Sequence, residues 1–133
     1  MKVLLDTNIV LDILAVREPF KDDANRIFSL IGQDKLTGYI TAAGVTDIYY
    51  ILRKNLPDSD CRKALRHLFS VLHILSVTQA DCEAAVVSPL EDFEDALIMI
   101  CAEKANIDFI ITRDEIFLTA EKAISPPDFL KNY

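Results

Sequence analysis

The sequence predicts an α/β sandwich built around a parallel sheet. Short runs of apolar and β-branched residues alternate along the chain with longer stretches of helical periodicity, and this alternation is typical of βα repeats. The length of 133 residues suits one ordinary domain with its own core. No internal repeat, low-complexity segment or long linker divides the chain, so we expect a single domain over residues 1–133.

Five segments have the composition of strands, and the stretches between them predict helices. The strand segments are residues 2–6, 37–40, 73–77, 108–112 and a shorter run at 123–125. Three of the intervening stretches carry an apolar stripe at helical spacing, which would face the sheet. The stripes consist of Phe20, Ala24, Ile27, Phe28 and Ile31, then Val45, Ile48, Tyr49 and Leu52, then Ala64, Leu65, Leu68, Phe69 and Leu72. A further stretch from Ala96 onward is apolar almost all round, which predicts a buried helix.

Helix starts are marked by capping residues. Either Asp58 or Ser59, directly after Pro57, is expected to cap the helix that carries the third stripe. Thr78, with Asp81 three residues later, approximates a capping box for the next helix.

Composition points to a protein of the cytoplasm. The three cysteines are widely spaced and form neither a CxxC pair nor a group with histidine, so a disulfide framework or a zinc site is not indicated. The apolar start of the chain is too short for a signal peptide and is interrupted by acids. No later stretch approaches the roughly 18 apolar residues of a membrane span, so no membrane partner is expected.

The formal net charge of −7 argues against a protein that holds nucleic acid through a general basic surface. The charges are unevenly distributed, however. Basic residues are concentrated between positions 53 and 66, whereas residues 81–95 contain acids and no base. Two interpretations follow: a positive track beside a negative pit, or ordinary solvated helix faces.

Acids stand where two predicted strands end. Asp6 is the last residue of the first strand segment, and Asp114 closely follows the segment at 108–112. Because ligands of open parallel sheets bind outside the carboxyl ends of the strands, these acids are expected to converge. Asp95 precedes the apolar helix directly, where an unpaired carboxylate would be costly without a cation or hydrogen-bond donors. Asp92 and Glu94, in contrast, have the positions expected of ordinary helix-capping acids.

Four motifs resemble those of the PIN domain family and together cover essentially the whole chain. They are LLDTNIVLDIL near the start, an acid on the helix after the second strand, FEDALIMICAEKA, and FIITRDEIF. The segment TDIYYILRK further resembles small stand-alone members related to VapC toxins. The resemblance implies a PIN-like three-layer α/β/α sandwich with a twisted, mainly parallel sheet of about four to five strands. It also implies an acidic pocket that binds Mg²⁺ or Mn²⁺ for hydrolysis of RNA.

Carried over position by position, the resemblance assigns the acids of that pocket. The four family acids correspond to Asp6, Asp47, Asp95 and Asp114, and the supporting polar positions correspond to Asn8 and Thr112. Asp6 and Asp95 are expected as direct metal ligands, and Asp114 as a ligand directly or through water. Most of the family has glutamate where this chain has Asp47. The aspartate is one methylene shorter, so it would reach a metal through water or orient the attacking water.

The resemblance thus implies a metal-dependent ribonuclease, which would be the toxin of a type II toxin–antitoxin pair if an antitoxin partner exists. Stand-alone members are often homodimers. The alternative is a non-catalytic PIN-fold module that binds nucleic acid. A receiver domain, a third reading, lacks support because the third strand segment carries no acceptor aspartate. Arg113 is expected in a surface ion pair or on a phosphate, while His67 and His73 fit no metal spacing and are expected to be structural.

Overall fold

A computed structural model describes all 133 residues and contains one five-stranded sheet in which every pairing is parallel. The strands are β1 Lys2–Leu5, β2 Thr37–Thr41, β3 His73–Leu75, β4 Phe109–Ile111 and β5 Ala123–Ile124. Their order across the sheet is β3-β2-β1-β4-β5. All five strand segments expected from the sequence are present, which confirms the predicted parallel α/β class.

Seven α-helices and one short 3₁₀ turn connect the strands. The helices are α1 Thr7–Leu14, α2 Lys21–Gly32, α3 Ala42–Arg53, α4 Asp58–Phe69, α5 Gln79–Val86, α6 Phe93–Lys104 and α7 Pro126–Leu130, and the 3₁₀ turn is Phe117–Thr119. The three predicted apolar stripes lie on α2, α3 and α4, but Phe20 and Leu72 fall just outside the helices, and Phe20 and Phe69 are exposed rather than packed on the sheet. No helix is both long and apolar enough to cross a membrane.

Helices cover both faces of the sheet, as the alternation of side chains along β1 shows. Val3 and Leu5 point into the larger core, which α1 to α4 and α7 cover. Leu4 points to the other face, where it packs with Ile98 and Ala102 of α6. The molecule is therefore a three-layer α/β/α sandwich, and the near-continuous apolar sequence of β1 reflects its burial on both faces.

The expected helix starts are partly confirmed. Thr78 and Asp81 form the reciprocal hydrogen bonds of a capping box at α5. The expected cap at Asp58 or Ser59 is wrong, because Pro57 occupies the N-cap of α4 and no side chain caps that end. The Asp58 carboxylate instead accepts hydrogen bonds from Tyr49 and Arg62.

After β3 the chain crosses back over the sheet, so the switch point in strand order lies between β1 and β4. Strands β1, β2 and β3 follow one another toward one edge, whereas β4 lies on the opposite side of β1. The carboxyl ends of β1 and β4 are thus neighbours although distant in sequence, with Leu5 paired to Ile111. A crevice at such a topological switch point is the usual ligand site of an open α/β sheet.

The buried face of the central strand should carry much of the stability. Leu4 is 0% exposed, whereas Val87, in the loop after α5, is 82% exposed. We expect Leu4→Ala to lower the free energy of unfolding by about 2–5 kcal/mol because it leaves a cavity that the sheet cannot close. Val87→Ala should change it by less than about 0.5 kcal/mol. Urea unfolding of both variants measures this, and equal losses would contradict the assignment of the core.

Candidate active site

Asp6 occupies the carboxyl end of β1, where the strand turns into α1. It is the N-cap of that helix, and its Oδ1 accepts a hydrogen bond from the Thr7 amide at 2.8 Å. Its Oδ2 accepts a hydrogen bond from the Thr112 hydroxyl at 2.7 Å. Burial raises the pKa of Asp6, while the bonds from Thr112 and Thr7 act in the opposite direction. The carboxylate is therefore held in one orientation at the mouth of the switch-point crevice.

Thr112 joins the ends of β1 and β4. Its side chain is fully buried, donates to Asp6 and accepts a hydrogen bond from the Asp114 amide at 3.1 Å. Asp114 in turn uses Oδ1 to accept from the amides of Ile116 and Phe117 at 2.9 and 3.3 Å. The other oxygen of Asp114 accepts no hydrogen bond from the protein, so it is available to a ligand.

Asp95 brings a third carboxylate from the first turn of α6. The residue is 7% exposed, and its carboxylate accepts no hydrogen bond from the protein. Burial raises its pKa to about 7, and the charges of Asp92, Asp114 and Asp6 add to the rise. Asp92 is the N-cap that accepts from the Asp95 amide at 3.0 Å, which confirms its expected capping role. The structure thus brings Asp6, Asp95 and Asp114 within electrostatic range of one another.

The fourth predicted acid, Asp47, faces the same cleft from α3. It is exposed on the side of α3 opposite the buried Ile48 and Leu52, as helical geometry requires. Its carboxyl group lies beside that of Glu94, and partial burial, the charge of Asp47 and a hydrogen bond to Asp47 together raise the pKa of Glu94. Glu94 has the first-turn position expected of a helix-capping acid, and its side chain also lines the edge of the cleft beside Asp47. The only sequence feature that pointed to Glu94 as a residue of the cleft was its position directly before Asp95.

Asn8 sits beside Asp6 with one polar atom unsatisfied. Its Nδ2 makes only a long contact of 3.5 Å with Asp6 Oδ2. Its Oδ1 is the one buried side-chain oxygen or nitrogen of the molecule without a hydrogen-bond partner. An orphaned buried acceptor usually has a functional explanation or an ion or water as its partner.

The donor set fits a hard divalent cation. Carboxylate and amide oxygens are the ligands that Mg²⁺ and Mn²⁺ prefer, and the like charges that raise the pKa of Asp95 would be offset by a cation. No group of three or more His, Cys, Asp or Glu side chains is arranged as a ready-made metal cage. Mg²⁺ needs none, because it commonly takes one or two carboxylates and fills its remaining positions with water and phosphate oxygens.

Arg113 forms an ion pair, as expected, but the pair is largely buried rather than at the surface. Its guanidinium makes a bidentate ion pair with Asp12 of α1, at 2.7 and 2.8 Å, and lies 3.7 Å from the centre of the Phe20 ring. The Asp12 side chain is 1% exposed. Arg113 is therefore neither in a surface pair nor free for phosphate. It anchors the segment between Thr112 and Asp114 to α1.

Neither histidine contributes to the cleft. His73 opens β3, at the amino end of the sheet, where its ring packs on Tyr39 with centroids 5.3 Å apart. His67 is exposed on α4 and forms no ion pair with a carboxylate. Neither histidine side chain lies among the acids of the cleft, and the sequence had not assigned either one to the site.

The parallel three-layer fold with carboxylates at its switch point is that of an α/β domain with an acidic ligand site. Comparison with known proteins identifies the family. The sequence model of the PIN domain matches residues 2–115, so the chain belongs to the PIN domain family. No curated protein matches the chain in sequence.

Solved structures share the fold at low identity. VapBC2 from Rickettsia felis, bound to a DNA fragment from its promoter, is 19% identical with a TM-score of 0.67, over 94% of this chain and 97% of that one. A toxin–antitoxin complex from Klebsiella pneumoniae is 22% identical with a TM-score of 0.69, over 93% and 97%. VapC20 from Mycobacterium tuberculosis, a toxin that cleaves the sarcin–ricin loop, is 16% identical with a TM-score of 0.71, over 90% and 95%.

The raised pKa of Asp95 predicts a pH dependence of stability in metal-free protein. Folding takes up a proton at Asp95 between the ordinary aspartate range and about 7. The free energy of unfolding should therefore fall as pH rises through this window, by up to about 1.4 kcal/mol per pH unit, and level off above it. Asp95→Asn should show a smaller fall, because the raised pKa values of Asp6 and Glu94 remain. Urea unfolding in chelator across the window measures it, with the exposed Asp60→Asn as control, and parallel profiles for all three proteins would contradict it.

The buried ion pair predicts a large loss of stability when one partner is removed. Asp12→Ala leaves the Arg113 guanidinium, whose side chain is 23% exposed, without its carboxylate. We expect a loss of about 3–5 kcal/mol in the free energy of unfolding. The matched control is Asp128→Ala, which breaks an exposed pair with Lys131 and should cost no more than about 1 kcal/mol. Chemical unfolding of both variants measures the difference, and similar losses would refute an anchoring role for the buried pair.

Proposed function

We propose that this protein is a metal-dependent endoribonuclease that hydrolyses RNA phosphodiester bonds. The observation that carries the proposal is the grouping of Asp6, Asp95 and Asp114 at the switch point of the sheet, where burial and the neighbouring acids raise the pKa of Asp95 to about 7. Such a grouping destabilises the fold unless a cation is bound there. Mg²⁺ or Mn²⁺ is the cation that its oxygen donors favour.

Each side chain of the cleft has a proposed task. Asp6, held by Thr112 and Thr7, and Asp95, which has no protein donor, would be the direct ligands of the metal. Asp114 would use its free oxygen, directly or through water, and Asn8 would satisfy its orphaned oxygen there. When bound, the cation supplies a water of lowered pKa and stabilises the leaving oxygen.

The Asp47 and Glu94 pair has a separate proposed task at the edge of the cleft. The raised pKa of Glu94 means that this pair holds a proton more readily than two separate acids would. A carboxyl group whose pKa is raised by burial and by a neighbouring acid is better suited than an ordinary carboxylate to donate a proton to a leaving group. We therefore assign Glu94 as the candidate general acid and Asp47 as the residue that positions it.

The partners are part of the proposal. Two of the similar structures are a VapBC assembly and a toxin–antitoxin complex, which supports an antitoxin partner for this chain and the role of the toxin in a type II pair. We further propose that the protein acts in the cytoplasm as a homodimer, like many stand-alone PIN proteins. Co-expression with the product of a neighbouring short reading frame, followed by size-exclusion chromatography, tests the assembly.

The nuclease proposal predicts RNA cleavage that depends on metal and on the acids. Purified protein should cut a mixed RNA pool in Mg²⁺ or Mn²⁺ but not in chelator. Asp6→Asn combined with Asp95→Asn should lower the rate by at least about 10³-fold, because the charges that hold the cation are lost. Gel analysis of the products measures this.

The double variant, prepared in parallel, also excludes a contaminating nuclease, and Asp60→Asn serves as the control for loss of an acid elsewhere. Cutting that persists in the double variant would refute the site. Absence of cutting by the parent on every RNA tested, with retained RNA binding, would favour the non-catalytic binding module.

A further inference from the structure

A second cavity adjoins the carboxylates, on the side of α3. Its volume is about 360 Å³, and it is lined by Thr7, Asp47, Tyr50, Ile51, Lys54 and Glu94. Thr7 and Glu94 are the chain neighbours of Asp6 and Asp95, so the cavity lies beside the cleft described above. None of the roles proposed so far uses Tyr50 or Lys54.

One face of α3 forms the wall of this cavity. Asp47, Tyr50, Ile51 and Lys54 are spaced at i, i+3, i+4 and i+7, which places them in one row along the helix. A ligand that extends from Asp47 along this row therefore meets an aromatic ring and then a cation. The row leads away from the acids rather than into the core.

The two adjacent tyrosines of α3 have different roles. Tyr49 is half-buried and donates its hydroxyl proton to Asp58, so it is part of the contact between α3 and α4. Tyr50 is 66% exposed, and its hydroxyl has no protein partner. The Tyr49 ring meets the Tyr50 ring edge to face, with centroids 5.0 Å apart and an interplanar angle of 86°. This contact supports the Tyr50 ring and leaves much of its surface accessible.

Lys54 is a free cation in an acidic protein. Three other lysines, Lys21, Lys104 and Lys131, form ion pairs with carboxylates. Lys54 is exposed at the end of α3, and its ammonium group forms neither an ion pair nor a hydrogen bond. With a net charge of −7 the chain has acids in excess, yet this lysine beside the cleft is left available for an external anion.

We propose that the cavity is a subsite for one nucleotide of single-stranded RNA, in which the base stacks on Tyr50 and the adjoining phosphate binds Lys54. The inference rests on the proposed nuclease function and assigns Tyr50 and Lys54 to the binding of one unpaired nucleotide. An exposed ring next to a cation matches the repeating unit of a single strand, which offers a base face and a phosphate. A duplex keeps its base faces stacked inside, so it offers this wall its backbone and base edges but no face on which Tyr50 could stack.

The test measures RNA binding without cleavage. A fluorescently labelled single-stranded RNA of mixed sequence is titrated in Mg²⁺ with the full chain carrying Asp6→Asn and Asp95→Asn, and anisotropy reports the affinity. Tyr50→Ala in this background should weaken binding about 5-fold to 100-fold through the lost stacking, whereas Tyr50→Phe should not. Lys54→Ala should weaken binding and reduce the slope of log affinity against log salt by about 0.7, the effect of one phosphate contact on a single strand.

Matched controls separate a subsite from general surface effects. Phe69→Ala removes an exposed aromatic ring from α4, and Lys63→Ala removes an exposed lysine from the same helix. Neither residue lines the cavity, so both should leave affinity unchanged. Tyr50 and Lys54 are exposed, so their variants should unfold at the temperature of the background protein. A blunt duplex of the same RNA should be insensitive to Tyr50→Ala.

The outcomes distinguish this inference from the nuclease proposal. Affinities that do not differ between the Tyr50 or Lys54 variants and their controls would overturn the subsite, and so would an absence of RNA binding. If the protein with its native acids binds RNA with the expected sensitivity but cuts none, the subsite stands and the nuclease proposal fails. If the protein cuts RNA but Tyr50→Ala changes neither KM nor affinity, the nuclease proposal stands and the subsite is overturned.

Discussion

Repulsion among carboxylates is the constraint to which the architecture around the cleft responds. Asp6, Asp95 and Asp114 come from three separate parts of the chain. Burial raises the pKa of Asp95 and of Asp6, and the charge of Asp114 adds to both rises. Their proximity is tolerated because some of the charge is offset locally. Thr7 and Thr112 donate to Asp6, and the Ile116 and Phe117 amides donate to Asp114. Asp95 has no such donors, and burial together with the neighbouring acids raises its pKa to about 7.

The geometry of the acids depends on an anchor outside the cleft. Thr112 and Asp114 belong to the short segment after β4, which has no helix or strand of its own to hold it. Arg113, between them, is fixed to Asp12 in the first helix and packs against Phe20. A buried bidentate pair of this kind restrains orientation more than a surface pair does. The segment therefore presents its two flanking side chains to the cleft from a fixed backbone.

The shorter acid at position 47 of α3 has a longer acid from a neighbouring helix beside it. Most of the PIN family has glutamate there by the resemblance noted above, and Asp47 lacks one methylene. Glu94 from α6 extends its longer side chain to Asp47, and the two carboxyl groups meet across the cleft. The same helix presents Tyr50 and Lys54 one and two turns further along. One helix thus contributes to the acidic cleft and to the wall that leads away from it.

Local sequence determined the strands, the helices with apolar stripes, the capping box at Thr78 and the positions of the candidate acids. These features depend on periodicity and on neighbours within about one helical turn, which the order of residues records directly. Only the tertiary structure decided that Arg113 pairs with a residue 101 positions away, that Glu94 meets Asp47, and that Tyr49 rather than Tyr50 contacts Asp58. Which side chains become partners depends on which helix ends the parallel crossovers bring together. Those ends are far apart in sequence, so no local pattern in the chain specifies the contacts between them.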